Sequence, residues 1–148
     1  MAESPLNPAL VLFLDFDGVL HPDPPSQKLP LFCKAPLLED WLTDHPDVVV
    51  VISSTWRLKH SFENLKGYFP KWRHRIFGLT PDMPTDSFQR QIECETWMRT
   101  HCNPWTPWLA LDDRLWNFRP FERRLILTDR TTGLTPDDLV RLTQAARG

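Results

Sequence analysis

Asp15 and Asp17 stand one residue apart, and Gly18 follows directly. In an extended segment, residues i and i+2 project to the same side, so the two carboxylates are held together while Phe16 turns away. Such a pair is costly unless a cation or a shared proton compensates it. A second acidic pair, Asp112-Asp113, and a hydroxyl pair, Ser53-Ser54, complete the chemically suggestive set. If the two acidic pairs end neighbouring strands, three or four carboxyl groups converge. Carboxylates with backbone carbonyls and waters are what a hard cation such as Mg²⁺ prefers. Each piece alone has an ordinary use: aspartate in a turn, serine as a helix cap. A calcium loop is excluded, because neither the D-x-[DN]-x-[DN]-G spacing nor its closing Glu is present.

The elements that must carry these groups are short and regular. Ala9 to Leu14 (ALVLFL) is an apolar run that reads as a buried strand and ends at Asp15. Val48 to Ile52 (VVVVI), all β-branched, is a second strand and ends at Ser53. Trp108 to Leu111 (WLAL) runs into Asp112. Arg75 to Leu79 and Arg124 to Thr128 read as two further strands. Helices are expected over Ala35 to His45, Leu58 to Tyr68, Ser87 to His101 and Thr135 to Ala146. The last has Thr135 as N-cap, Pro136 at its first position and Asp137 and Asp138 in the first turn. In the third, Phe88, Ile92 and Trp97 are read as apolar positions. Strands alternating with helices predict an α/β, Rossmann-like three-layer sandwich on a mostly parallel five-stranded sheet. Such sheets bind ligands at the carboxyl ends of their strands, where all three polar pairs fall.

Composition narrows the choice further. The chain has 148 residues, which suits one domain over residues 1–148. Its five glycines include no two close enough for a G-x-G-x-x-G or a Walker A loop. Three cysteines without a C-x-x-C exclude a disulfide framework and a structural zinc site. A formal net charge of -2 points to no particular partner. No apolar run approaches a membrane span, and Met1 to Ala9 has neither a basic nor an apolar leader region. A cytoplasmic location is the expectation.

Leu12 to Leu20 (LFLDFDGVL) resembles the first signature of the haloacid dehalogenase (HAD) superfamily. Ser53/Ser54 after VVVVI is similar to the second signature, and Asp112-Asp113 after WLAL to the acidic fourth. Ser54-Thr55-Trp56, Ile92 to Trp97 and Leu125 to Asp129 followed by Thr132 to Thr135 extend the resemblance. It reaches a compact bacterial HAD family that includes domains joined to RNA-repair proteins, and it covers about Leu10 to Leu142.

The resemblance implies roles that elementary chemistry supports. Asp15 would be a nucleophile forming an aspartyl-phosphate. Asp17 would protonate the leaving oxygen, activate water and offer its backbone carbonyl to the metal. Ser53 or Ser54 would hydrogen-bond the phosphoryl group, with Ser54 favoured because the family's hydroxyl sits two residues before the Trp matching Trp56. Asp15, Asp17, Asp112 and Asp113 would surround Mg²⁺. The family's usual lysine is absent, since Lys71 is the last in the chain. Arg90 is the favoured replacement, able to pair a carboxylate and a phosphate bidentately. Arg57 is the rival, because some polynucleotide 3′-phosphatases of the superfamily carry an Arg near that point and a D-D-R like Asp112-Asp113-Arg114.

Substrate class follows from what is missing. The loop holding Pro22, Pro24, Pro25 and Pro30 is too short for a folded cap, so an open site is expected. Capless relatives often act on macromolecules. The stretch Arg57 to Arg75 interleaves six Lys or Arg with Phe62, Tyr68, Phe69 and Trp72, a pattern found both in nucleic-acid sites and in ordinary amphipathic helices. The expected function is a Mg²⁺-dependent phosphatase acting on a phosphorylated substrate such as a nucleotide or nucleic-acid end. A non-catalytic binding module and a phosphotransferase are the alternatives. The five histidines show no ligand spacing and read as surface or satisfied residues.

Overall fold

The computed structural model describes residues 8–148. Most of the stretch read for a leader, residues 1–7, lies outside them. Five strands form one parallel sheet: β1 (Leu10–Leu14), β2 (Val48–Ile52), β3 (Ile76–Leu79), β4 (Trp108–Asp112) and β5 (Leu125–Leu127). Their spatial order is β3-β2-β1-β4-β5, and every pairing is parallel. The expected fold class is thus observed. β1, β2 and β4 are buried along their whole length, which is why they read as unbroken apolar runs.

Alternation along β1 builds two cores. Leu10, Leu12 and Leu14 face one side, joined by Val48, Val50 and Ile52. Helices α1 (Ala35–Asp44), α2 (Phe62–Gly67) and α4 (Pro136–Arg147) cover that side through Leu38, Trp41, Leu42, Leu65 and Leu142. Val11 and Phe13 face the other side, where α3 (Gln89–His101) packs Cys94, Trp97 and Met98 against them. This is the three-layer arrangement that a period-2 pattern in a central strand demands.

Helix ends follow local chemistry. α4 starts with the expected Thr135 cap, completed by Asp138 into a reciprocal capping box. The expected helix from Leu58 to Tyr68 is instead two pieces. A 3-10 turn, Thr55–Leu58, is capped by the Ser54 hydroxyl, and α2 begins anew after the Ser61 hydroxyl accepts the Asn64 N–H. Ser61 competes for backbone amides and so interrupts the run. α3 begins two residues later than expected, because Phe88 is left-handed (φ 56°) and stands outside the helix. Trp105, ahead of β4, is largely exposed at 74%. No helix or strand separates β1 from α1, so no folded cap is inserted there. Among the described residues no helix is long and apolar enough to cross a membrane.

Candidate active site

Strand order decides which polar ends meet. β1 lies between β2 and β4, in register Leu14↔Ile52 and Leu14↔Leu111. The residues following those positions therefore open onto one place: Asp15, Ser53 and Asp112. The ladders continue into the site, since the Asp15 N–H donates to the Leu111 carbonyl and the Ser53 N–H to the Leu14 carbonyl. Asp15, Asp112 and Asp113 bring one carboxylate oxygen each within 4.8 Å of one another.

The electrostatics of this cluster are strained. Burial pushes the Asp15 carboxyl well above the ordinary range, and the neighbouring Asp112 and Asp113 push the same way, against Arg90. Burial also raises Asp113. One Asp113 oxygen, Oδ1, is buried with no hydrogen-bond partner. Gly18 sits at φ +79°, and a Cβ there would overlap the Asp113 carboxylate, so only glycine leaves room for the acid. Three converging carboxylates and an unpartnered oxygen form a donor set suited to a hard divalent cation.

Asp17 is managed separately, and its carboxylate is not part of the cluster. The buried His21 accepts the Phe32 N–H at Nδ1 (3.1 Å), so its proton is on Nε2 and is donated to Asp17 Oδ1 at 2.8 Å. Trp56 donates its indole N–H to Asp17 Oδ2 at 3.1 Å. The His21 hydrogen bond is the chief reason that Asp17 lies below its ordinary pKa, with burial opposing and Trp56 assisting. Phe16, Phe32, Trp56 and Phe69 pack edge to face around this corner. Neither His21 nor Trp56 stands out from the spacing of histidines or aromatics. The one available signal for His21 is its position four residues after Asp17, in the turn that Gly18 opens.

The two candidate arginines have opposite surroundings. Arg90 Nη1 lies 2.6 Å from Asp112 Oδ2 and 3.4 Å from Asp15 Oδ1. Burial disfavours its charge, but Asp112 and Asp15 outweigh burial and raise its pKa above the ordinary value. Arg57 instead donates to the carbonyls of Thr80, Ser53, Ser54 and Pro81 and pairs with Glu93 at 2.9 Å. Arg90, not Arg57, faces Asp15. Arg57 holds the Ser53-Ser54 corner in place from behind.

Ser53 and Ser54 are both buried. The Ser54 hydroxyl accepts the Trp56 N–H at 3.2 Å, which leaves its own proton free to donate. On the far side of Gly18, the Thr128 hydroxyl donates to the Gly18 carbonyl at 2.7 Å and fixes that turn.

The basic stretch Arg57 to Arg75 is mostly committed within the protein. Arg75 serves the carbonyls of Leu42, His45 and Val48. Lys66 and Arg73 pair with Glu63, and Lys71 with Glu39. Lys59 is its single uncommitted cation among the described residues. Phe69 and Trp72 are buried, while Tyr68 is 45% exposed.

Comparison with known proteins agrees with this geometry. No curated protein and no solved structure gives a match. Residues 11–139 match the family described as the HAD domain in Swiss Army Knife RNA repair proteins, a span that includes all five strands except the first residue of β1. The chain therefore belongs to that family of HAD domains, which supports a phosphoryl-handling function with which the cluster of Asp15, Asp112 and Asp113 is compatible.

Proposed function

We propose that the protein is a phosphatase that hydrolyses a phosphate monoester through an aspartyl-phosphate on Asp15. The observation that supports it most is the convergence of Asp15, Asp112 and Asp113, with Arg90 bridging Asp15 and Asp112 at the end of β4. A general phosphoryl binder has no need of a buried carboxylate nucleophile beside further carboxylates.

Mg²⁺ fits the donor set described above. Asp15, Asp112 and Asp113 would hold it, with the Asp17 backbone carbonyl as a further ligand. Bound there, it supplies positive charge that offsets repulsion between an anionic nucleophile and an anionic phosphate. The remaining chemistry belongs to the chain. An Asp15 oxygen attacks phosphorus, the phosphorus–oxygen bond to the leaving group breaks, and the Asp17 proton goes to the departing oxygen. Asp17 then removes a proton from the water that hydrolyses the aspartyl-phosphate, which restores both carboxyls. Asp17 is held as a carboxylate by His21 and Trp56 in the free protein. An arriving phosphate is a like charge and raises its pKa toward protonation, which prepares the first role. The Ser54 O–H and the Arg90 Nη1 group that already lies beside Asp15 and Asp112 are the donors we assign to the oxygens of the transferring group.

The substrate belongs to the phosphomonoesters, and phosphorylated nucleotide or nucleic-acid ends are the class that an uncapped site admits. The decisive test is a turnover screen with Mg²⁺ over p-nitrophenyl phosphate, sugar phosphates, nucleotides and 3′- and 5′-phosphorylated oligonucleotides. Asp15→Asn should lower turnover at least about a thousandfold with the circular dichroism spectrum unchanged. Retained turnover in that variant would rule out the covalent mechanism. Release of labelled phosphate to water distinguishes hydrolysis from transfer to another acceptor.

A further inference from the structure

Beside the nucleophile, but not lined by it, lies a small polar cleft of about 120 Å³. Thr55, Arg57, Gln89, Arg90, Arg114 and Asn117 are among the residues forming its walls. These come from the turn after β2, the start of α3 and the turn after β4, so the cleft opens on the same sheet edge as the site. Asp15, Asp17 and Ser54 are not on its walls, which separates it from the position of the transferring group.

Three features of the cleft are unfinished. Arg90 is 4% exposed, yet its Nε–H has no hydrogen-bond partner. A buried N–H left so is unfavourable until something arrives to accept it. Arg114 gives its backbone N–H to Asp112, but its guanidinium joins no ion pair among the described residues. Its charge is close enough to lower the pKa of both Asp17 and Asp113. Finally, α3 is a thirteen-residue helix whose first turn has no side-chain cap, Phe88 standing where a Ser or Asp would serve. Glu93, the acid on the wall, is already neutralised by Arg57 and accepts from Gln89 and the Met83 N–H. What the cleft lacks is a compact acceptor carrying negative charge.

We propose that this cleft is a second anion subsite, which takes a phosphate group of the substrate other than the one removed. The proposal rests on the phosphatase reading and deepens it: the substrate carries two phosphates joined by a short linker. A nucleoside bisphosphate and a phosphorylated strand end with its neighbouring phosphodiester share that chemistry. The Arg90 Nε–H and the Arg114 guanidinium are the anchoring donors, and the Asn117 amide and Thr55 hydroxyl complete the wall.

The test compares thymidine 3′-monophosphate, thymidine 3′,5′-bisphosphate and a 3′-phosphorylated trinucleotide with the full chain and Mg²⁺. A substrate with a second phosphate should show a kcat/KM about tenfold or more above the monophosphate, mostly through KM. In Arg114→Ala, and more weakly in Asn117→Ala, that ratio should collapse toward one. A gain for the bisphosphate assigns the second phosphate to a small molecule, and a gain confined to the trinucleotide assigns it to a nucleic-acid end. A ratio of one in the unaltered protein, or a ratio that survives Arg114→Ala, overturns the subsite. Calorimetric binding of the same ligands to Asp15→Asn keeps the two readings apart. Preference for two phosphates without turnover in the parent protein sinks the phosphatase and leaves the subsite. Turnover without preference does the reverse.

Discussion

Arg57 and Arg90 are both buried beside the same strand ends, 8% and 4% exposed, yet they occupy opposite environments. Around Arg57 every guanidinium nitrogen has an acceptor, four of them backbone carbonyls and one the Glu93 carboxylate. Around Arg90 one nitrogen serves two carboxylates and Nε serves none. The first is a closed network that makes loops rigid. The second has donors in reserve beside carboxylates that repel one another. The difference teaches how to separate a structural buried arginine from a functional one: by what remains unsatisfied, since burial is the same for both.

Removing each arginine should break the comparison in a different observable. Arg57→Met leaves Glu93 buried and the carbonyls of Ser53 and Thr80 without their donor. Unfolding by urea should show a loss of about 3–5 kcal/mol, which Mg²⁺ does not restore. Arg90→Met should lower kcat for p-nitrophenyl phosphate about a hundredfold, the scale on which a donor to the transferring oxygens acts. Its stability loss should shrink when Mg²⁺ is added, because Asp15 and Asp112 then keep a counter-charge. Equal stability losses with equal Mg²⁺ response would erase the distinction.

A smaller effect sharpens the division of labour between Asp17 and the acidic cluster. His21→Phe keeps an aromatic ring in the cluster formed with Phe32 and Trp56 but removes the donor to Asp17. The expected result is a kcat loss about tenfold larger for an alkyl phosphate, whose leaving oxygen needs a proton, than for p-nitrophenyl phosphate. Losses equal for both esters would assign His21 to packing alone.

The smallest expected effect is on stability against pH. Asp15 and Asp113 are raised above their ordinary range by burial first. A carboxyl raised in the folded state binds its proton more tightly there, so stability falls as pH climbs from the ordinary value through the raised one. Asp17 and Glu122 act oppositely. Burial alone would raise Glu122, but hydrogen bonds from Arg124 and Gln91 outweigh it and hold it down to about 2. Their contribution is present above the ordinary carboxylate range and is lost in acid. With EDTA, the urea midpoint should therefore decline as pH climbs above the ordinary carboxylate range. Mg²⁺ should flatten that decline. A midpoint that rises over the same interval in EDTA would show that Asp15 and Asp113 are not strained.

Much of this architecture could be read from residue order, because fully buried parallel strands leave an unmistakable pattern. VVVVI is strand over its full length, and the acids and hydroxyls flanking the central strands are where a parallel sheet collects them. Less visible were features decided by tertiary contact. The break at Ser61 depends on a hydroxyl competing for one amide, which propensity over a window does not register. Arg90, the arginine favoured from sequence, does face Asp15, but the closed network around Arg57 is visible only in the fold. His21 was read among the ordinary histidines, because its value lies in two hydrogen bonds made across a turn. In the basic stretch, charges that look available in sequence are absorbed by Glu63, Glu39 and backbone carbonyls, which matches the ordinary amphipathic pattern.

The placement of β1 at the centre of the sheet also has a kinetic consequence. Asp15 is made early in synthesis, but the strand bearing Asp112 comes far later, and Thr128 clamps the Gly18 turn from 110 positions away along the chain. Closing such a distant contact is entropically slow, and parallel pairing offers no local hairpin to speed it. A nascent chain therefore carries Asp15 without its carboxylate neighbours until β4 docks. The acidic cluster is complete only when the fold is.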